Sequence, residues 1–178
     1  MLPMDKPKSS LYFKITVAAF KLRDWLSPRI NVLKEANIKP GFSVLDYGCG
    51  PGGYIRETAR LVGESGTVYA LDIHPLAAQR AMRIAAENAL TNVKTIQSDC
   101  KTSLPDAAID VVLLYDTFHL LTEPGKVLDE LRRVLKPDGA LSFSDHHLKE
   151  AAILSSLTGA GLFKLSAKGK KTYTFIKT

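Results

Sequence analysis

Five apolar runs, each with an aspartate at or near its end, constrain this chain more than any other feature. "SVLDY" (43–47) carries Asp46, "TVYALDI" (67–73) carries Asp72, and "NVKTIQSD" (92–99) closes on Asp99. "DVVLLYD" (110–116) closes on Asp116, and "ALSFSDH" (140–146) carries Asp145. Segments of helical character lie between them. One follows a glycine turn and runs to about Val62, and one runs from Pro75 to about Ala89. Another spans 124–136, with Val127, Leu128, Leu131, Val134 and Leu135 on one face, and a last spans 148–160. "KPDG" (136–139) reads as a stop and a turn. Strands that alternate with helices predict an α/β domain with a mostly parallel sheet and helices on both faces. Ligands of such sheets lie beyond the carboxyl ends of the strands, near the point where strand order reverses. Helix capping accounts for one or two of the aspartates. Five of them argue for a carboxylate-lined rim.

The C-terminal stretch departs from the alternation. "LFKLSAK", "GKK" and "TYTFIKT" predict two strands around a tight turn, an antiparallel hairpin. A chain of 178 residues fits one domain with a sizeable core. Its two cysteines, Cys49 and Cys100, are too few for a disulfide framework and match no zinc spacing. No apolar run is long enough to cross a bilayer, and "MLPMDKPKSS" lacks the apolar core of a signal peptide. A cytoplasmic location is the expectation. Charge is unevenly spread: residues 1–40 carry eight Lys/Arg against three acids, 41–161 carry eleven against fifteen, and 162–178 carry five lysines and no acid.

The turn "VLDYGCGPGGY" (44–54) follows the first strand. Gly48, Gly50 and Gly53 have the G-x-G-x-x-G spacing that lets backbone approach a ligand closely. The spacing does not name that ligand. Asp72, at the end of the second strand, suits two ribose hydroxyls of any adenosine cofactor. Asp46 discriminates. A pyrophosphate at this turn would meet a second carboxylate, and like charges in a poorly screened cleft repel. S-adenosylmethionine has no phosphate and carries an ammonium and a sulfonium, which suit a carboxylate. Asp46 could also simply bond the turn's own amides.

Taken together, "VLDYGCGPGG", "ALDIHP" (70–75), "QSDC" (97–100), "DVVLLYDTFH" (110–119) and "LRRVLKPDGALSF" (131–143) resemble the class I S-adenosylmethionine-dependent methyltransferases. The similarity is to the broad group that includes the ubiquinone/menaquinone C-methyltransferases (methyltransferase type 11), and it covers about residues 30–178. It implies a Rossmann-like seven-stranded sheet in the order 3-2-1-4-5-7-6, with strand 7 antiparallel, which the terminal hairpin would supply. It implies S-adenosylmethionine as cofactor and S-adenosylhomocysteine as product. Asp46, Tyr47, Gly48, Cys49 and Gly50 would face the methionine part. Asp72 would hold the ribose, Ile73 the adenine face, and Asp99 with the Cys100 backbone the adenine amino group. Tyr115 would close the methionine side.

The sequence is short for this group, so a cover over the cofactor has to come from residues 1–40 or from a partner chain. Residues 1–29 are expected to form a helical lid, with Leu11, Phe13, Ile15, Val17, Phe20, Leu22, Trp25 and Leu26 as its apolar positions. The alternative is a basic amphipathic contact with a membrane surface. For a base acting on the acceptor, the candidates at the rim are Asp116, His119, Asp145 and His146, with His147 beside them. The Asn-Pro-Pro-Tyr pattern of nucleobase and glutamine N-methyltransferases is absent, since the corresponding place reads "YDTFH". The expected acceptor is a small molecule rather than a nucleic acid. The lysine-rich turn "AKGKK" (167–171), on the cofactor side, favours an anionic one. The rivals are an NAD(P)-dependent oxidoreductase and a non-catalytic cofactor-binding module. No metal site is expected, and neither the oligomeric state nor the acceptor atom is written in the sequence.

Overall fold

In the computed structural model, the residues described are Pro7, Ser9–Leu11, Phe13, Ile15 and 30–178. Seven strands form one sheet: β1 (Ser43–Tyr47), β2 (Thr67–Asp72), β3 (Val93–Gln97), β4 (Ile109–Tyr115), β5 (Leu135–Ser144), β6 (Phe163–Lys168) and β7 (Tyr173–Lys177). Their order is β3-β2-β1-β4-β5-β7-β6. Strands β1 to β5 pair in parallel, and β7 lies antiparallel between β5 and β6. The helices are α1 (Ile30–Leu33), α2 (Ile55–Val62), α3 (Pro75–Glu87), α4 (Pro124–Val134) and α5 (Glu150–Thr158). Fold and strand order agree with the expectation.

The two faces of the sheet follow from the two-residue period of a strand. Leu45, Tyr47, Val112 and Leu114 face one core with Leu128, Leu131 and Leu157 of α4 and α5. Val44, Val111, Leu113 and Tyr115 face the other, with Ile55, Ala59, Ala77 and Ala81 of α2 and α3. Strand β4 is buried at every position except Asp110, and that residue has work of its own. Its carboxylate accepts from the Ser43 amide at 2.8 Å and pairs with Lys136 Nζ at 2.6 Å. His74 caps α3, its Nδ1 accepting from the Leu76 amide at 3.1 Å, with Pro75 in the first turn as the sequence predicted.

One expectation needs correction. β5 does not wait for the end of "KPDG" but begins at Leu135, straight out of α4. Leu135 pairs with Ile109 and Ala140 with Val111, so the four residues from Lys136 to Gly139 bulge out between two register positions. A Cβ at Gly139 would lie 3.0 Å from the Ile109 carbonyl, so the bulge closes against β4 without a side chain. The turn-forming residues are used, but inside a strand.

Among the described residues, no helix is long and apolar enough to cross a membrane. The domain division at residue 29/30 falls largely outside the described residues.

Candidate active site

Strand order reverses between β1 and β4, so the loops after these strands flank a crevice. They meet where Gly48 follows β1 and Thr117 follows β4. Gly48 has φ +75, and a Cβ there would lie 2.4 Å from Thr117 Oγ1. Gly50 and Gly52 are also left-handed, at +49 and +77. Sequence spacing singled out Gly53 as the third glycine, yet the left-handed position is Gly52, pressed against Ile84 and Ile55.

The amides of this turn are consumed by the protein. Gly48 and Cys49 both donate to the Leu71 carbonyl, at 2.8 and 2.9 Å, and Gly52 donates to Cys49 at 2.9 Å. The Gly50 amide donates to Asp72 Oδ2 at 2.8 Å, and Pro51 has no amide hydrogen to offer. Residues 48–52 therefore present no free set of N–H donors to a phosphate. Asp72 uses its other oxygen to accept from the His74 amide at 2.7 Å. Two of its roughly four lone-pair sites are thus taken, and the rest can accept hydroxyl protons. Burial pushes its carboxyl up, against the pull of those two amide bonds.

A cleft opens beside this turn, lined by Tyr47, Gly48, Asp72, Ile73, Asp99 and Leu121. Five of these were expected from sequence, and Leu121 was not. Tyr47 is buried and donates to the Asp99 carbonyl at 3.0 Å, tying the end of β1 to the end of β3. Asp99 itself is exposed, and Ile73 is half-buried. The Cys100 side chain packs against the core on the α4 side. Its amide donates to Ser98 Oγ at 3.3 Å. Asp46, Cys49 and Tyr115 are buried on the opposite face of the sheet. Tyr115 bonds Ser142 through its hydroxyl at 2.6 Å, and Tyr54 packs edge-on against its ring at 5.0 Å. Burial, with Asp46 and Asp72 nearby, raises the Cys49 thiol well above its ordinary value, and burial also raises Cys100. Neither is a poised nucleophile. Among the described residues, no group of three or more His, Cys, Asp and Glu could hold a metal ion.

The structure brings all the candidate bases together. Asp145 Oδ2 lies 2.9 Å from His119 Nδ1 and accepts the His119 amide at 3.0 Å. Its Oδ1 accepts from the His147 amide at 3.1 Å. Asp116, left-handed at φ 50, lies 2.6 Å from His146 Nδ1. The rings of His119, His147 and His146 lie in contact in that order, with centroids 4.0 and 3.9 Å apart and planes tilted by 39° and 40°. This cluster stands at the carboxyl ends of β4 and β5, next to Thr117.

Three further residues bear on the site. Phe13, from the N-terminal helical stretch, stacks on His74 at 4.7 Å, two positions from Asp72. Arg80 of α3 donates to the Pro51 carbonyl at 2.9 Å and braces the glycine turn. Glu35 accepts from the amides of Lys170, Lys171 and Thr172 and from Thr172 Oγ1, at 2.9 to 3.2 Å. Lys168 pairs with Glu150 at 2.6 Å. The lysine turn thus has a carboxylate at its centre and another beside it. Only Phe13 carried a sequence signal, as one of the apolar positions of the N-terminal segment.

Comparison with known proteins fits this arrangement. Residues 38–175 match a family described as a methyltransferase domain. A solved S-adenosylmethionine-dependent methyltransferase from Aquifex aeolicus is 28% identical with a TM-score of 0.75, over 90% of this chain and 97% of that one. The ubiquinone/menaquinone biosynthesis C-methyltransferase UbiE of Paraburkholderia phymatum is 32% identical over 61% of this chain and 45% of its own length. The sterol 24-C-methyltransferase ERG6B of Gibberella zeae is 40% identical over 57% of this chain and 27% of its own. The chain thus spans less than half the length of these two curated relatives.

Proposed function

The chain belongs to the methyltransferase domain family, and from that premise we propose that it transfers a methyl group from S-adenosylmethionine to a carbon atom of a small-molecule acceptor. The observation that carries the choice of cofactor is the glycine turn. The four amides that residues 48–52 possess are bonded within the protein, one of them to a carboxylate. A dinucleotide would need such amides for its pyrophosphate. The same turn, with Asp46 and Asp72 beside it, fits a cationic ligand without phosphate. The NAD(P) alternative loses its cradle on this ground.

When bound, S-adenosylmethionine supplies an electrophilic methyl on a positively charged sulfur. The chain's own residues would hold it. Asp72 takes the ribose hydroxyls with its remaining lone pairs, and Ile73 covers the adenine. Asp99 accepts from the adenine amino group, with the Cys100 backbone beside it. Gly48 and Gly50 let the methionine part approach the backbone, with Asp46 and Tyr115 on that side. The stack of Phe13 on His74 supports residues 1–29 as a lid that excludes water from this edge. Both curated relatives are named as C-methyltransferases, which supports a carbon acceptor. The lysine turn supports an anionic acceptor more weakly than its sequence suggests, because Lys168 pairs with Glu150 and Glu35 is held by the turn's backbone amides. Two free, unreactive cysteines suit the cytoplasm.

Calorimetric titration with S-adenosylhomocysteine and, separately, with NADH tests the reading. S-adenosylhomocysteine should bind and NADH should not. Asp72→Ala should weaken that binding by about 1–3 kcal/mol, the range for buried polar partners left unmade. Binding of NADH in place of S-adenosylhomocysteine would overturn the assignment.

A further inference from the structure

We propose that His119 is the general base that takes a proton from the methyl acceptor, and that Asp145 is its positioning residue. The inference rests on the methyl-transfer reading above and adds a residue role to it. Asp145 has no exposed side-chain surface, and the His119 side chain is 9% exposed. The carboxylate accepts from the His119 backbone amide and lies 2.9 Å from Nδ1, so the proton of a neutral imidazole belongs on Nδ1. The lone pair is then on Nε2. That nitrogen has no hydrogen-bond partner among the described residues, and it is not one of the buried, unsatisfied atoms, so it opens outward.

Position makes the dyad relevant to the reaction. Thr117, two residues before His119, touches Gly48 at the point where strand order reverses. Leu121, two residues after it, lines the cleft. Asp145 forms no cation pair with lysine or arginine among the described residues. The groups facing His119 are Asp145 on one edge and the His147 ring on one face, with His146 and Asp116 beyond. The tilted rings of His119, His147 and His146 make an aromatic edge beside the dyad, and a base there suits an acceptor with an ionisable hydroxyl, a phenol or an enol.

The step balances. The acceptor's O–H bond breaks and its proton goes to Nε2, leaving an electron pair that reaches the acceptor's conjugated carbon. That carbon bonds the methyl carbon, and the methyl–sulfur bond breaks with its pair left on sulfur. The positive charge of the sulfonium is thereby transferred to His119 as imidazolium, and Asp145 faces it.

The test uses the full chain. In 15N spectra of the imidazole nitrogens with S-adenosylhomocysteine bound, the neutral form of His119 should be the Nδ1–H tautomer, and Asp145→Asn should abolish that preference. An Nε2–H tautomer in the native protein would overturn the proposal, whatever the acceptor. Transfer of labelled methyl from S-adenosylmethionine into a cell extract gives the second reading. His119→Asn keeps a donor toward Asp145 and so guards the fold. It should bind S-adenosylhomocysteine as the native protein does, yet lose about 10²–10⁴-fold in turnover. His119→Ala should regain part of that loss on addition of imidazole. Native turnover in His119→Asn would overturn the base assignment, whereas absence of S-adenosylhomocysteine binding by the native chain would overturn the methyl-transfer reading instead.

Discussion

At Gly48, two costs of a side chain can be separated. An L-residue at φ +75 pays about 1–2 kcal/mol for the left-handed conformation. A methyl group there must also displace Thr117, whose Oγ1 and Cγ2 would lie 2.4 and 2.5 Å away. Thr117 is buried and donates to the Tyr115 carbonyl at 3.0 Å, so it cannot swing aside freely. Gly63 provides the comparison, with φ +65 and open space around it. Gly63, with ψ -174, sits in an extended region that is essentially reserved for glycine, so Gly63→Ala should cost only the conformational part, about 1–3 kcal/mol in denaturant unfolding. Gly48→Ala should cost clearly more and should also weaken S-adenosylhomocysteine, because Gly48 lines the cleft. Equal losses at the two positions would mean that the turn relaxes away from Thr117, and that close approach is not what selects glycine there.

Among the elements, α4 does more than cover the sheet. Glu130 accepts from the Thr102 amide at 2.8 Å and from Thr102 Oγ1 at 2.6 Å, and Arg133 donates to both of its oxygens. It thereby ties α4 to the loop after β3, next to Asp99 and Cys100. The Arg133 bonds, aided by Thr102 and opposed by burial, hold the Glu130 carboxyl down to about 2 from an ordinary 4.5. A depressed carboxyl stabilises the fold above its unfolded value and loses that stabilisation as pH falls through its folded value. The contribution should therefore be full at pH 7 and disappear between about 4.5 and about 2. The full shift corresponds to about 3–4 kcal/mol, which solvent screening of this partly exposed pair reduces to about 1–3 kcal/mol. Urea titrations of Glu130→Gln should show a deficit of that order at pH 7 that shrinks toward pH 2.5. A deficit independent of pH would assign the loss to packing rather than charge. The same scale shows what the sequence could and could not disclose. Apolar runs and helical stripes located all seven strands and the helices α2 to α5, though not the short α1, because burial on two faces or one leaves a local pattern. Starting β5 at Leu135 was not legible, since "KPDG" is locally a turn and only pairing with β4 makes it a bulge. The aspartates were legible as a rim, but their partners were not. Tyr115 lies opposite Ser144 in the β4–β5 register, and that register brings His119 to Asp145 across 26 residues of sequence. Glu35 meets the turn at Lys171 across 136 residues, with no local trace at all.

For the molecule as a whole, the sheet and the N-terminal segment should prove separable. Among the described residues, both core clusters are built from residue 33 onward, with Phe13 packed against one of them. Glu35 fastens the start of the domain to the β6–β7 turn, so a cut before residue 30 leaves that clamp in place. At the far edge, β6 exposes Lys164 and Lys168, charges that discourage pairing with a second chain. Deleting residues 1–26 should therefore leave a cooperatively folded domain with a slightly lower melting temperature. The deletion removes the ring stacked on His74, beside the Asp72 carboxylate. S-adenosylhomocysteine should still bind through Asp72 and the glycine turn, but it should dissociate faster, because the cleft edge is no longer covered. Turnover should fall sharply, since water now reaches the transferred methyl. Stopped-flow dissociation and labelled-methyl transfer measure the two effects separately. The segment carries five Lys/Arg against two acids within residues 1–26, so a membrane role has its own signature. Sedimentation of the full chain with anionic vesicles, weakened by added salt and lost on deletion, would identify a surface anchor. Native turnover and native dissociation in the truncated protein would leave residues 1–26 without a part in catalysis.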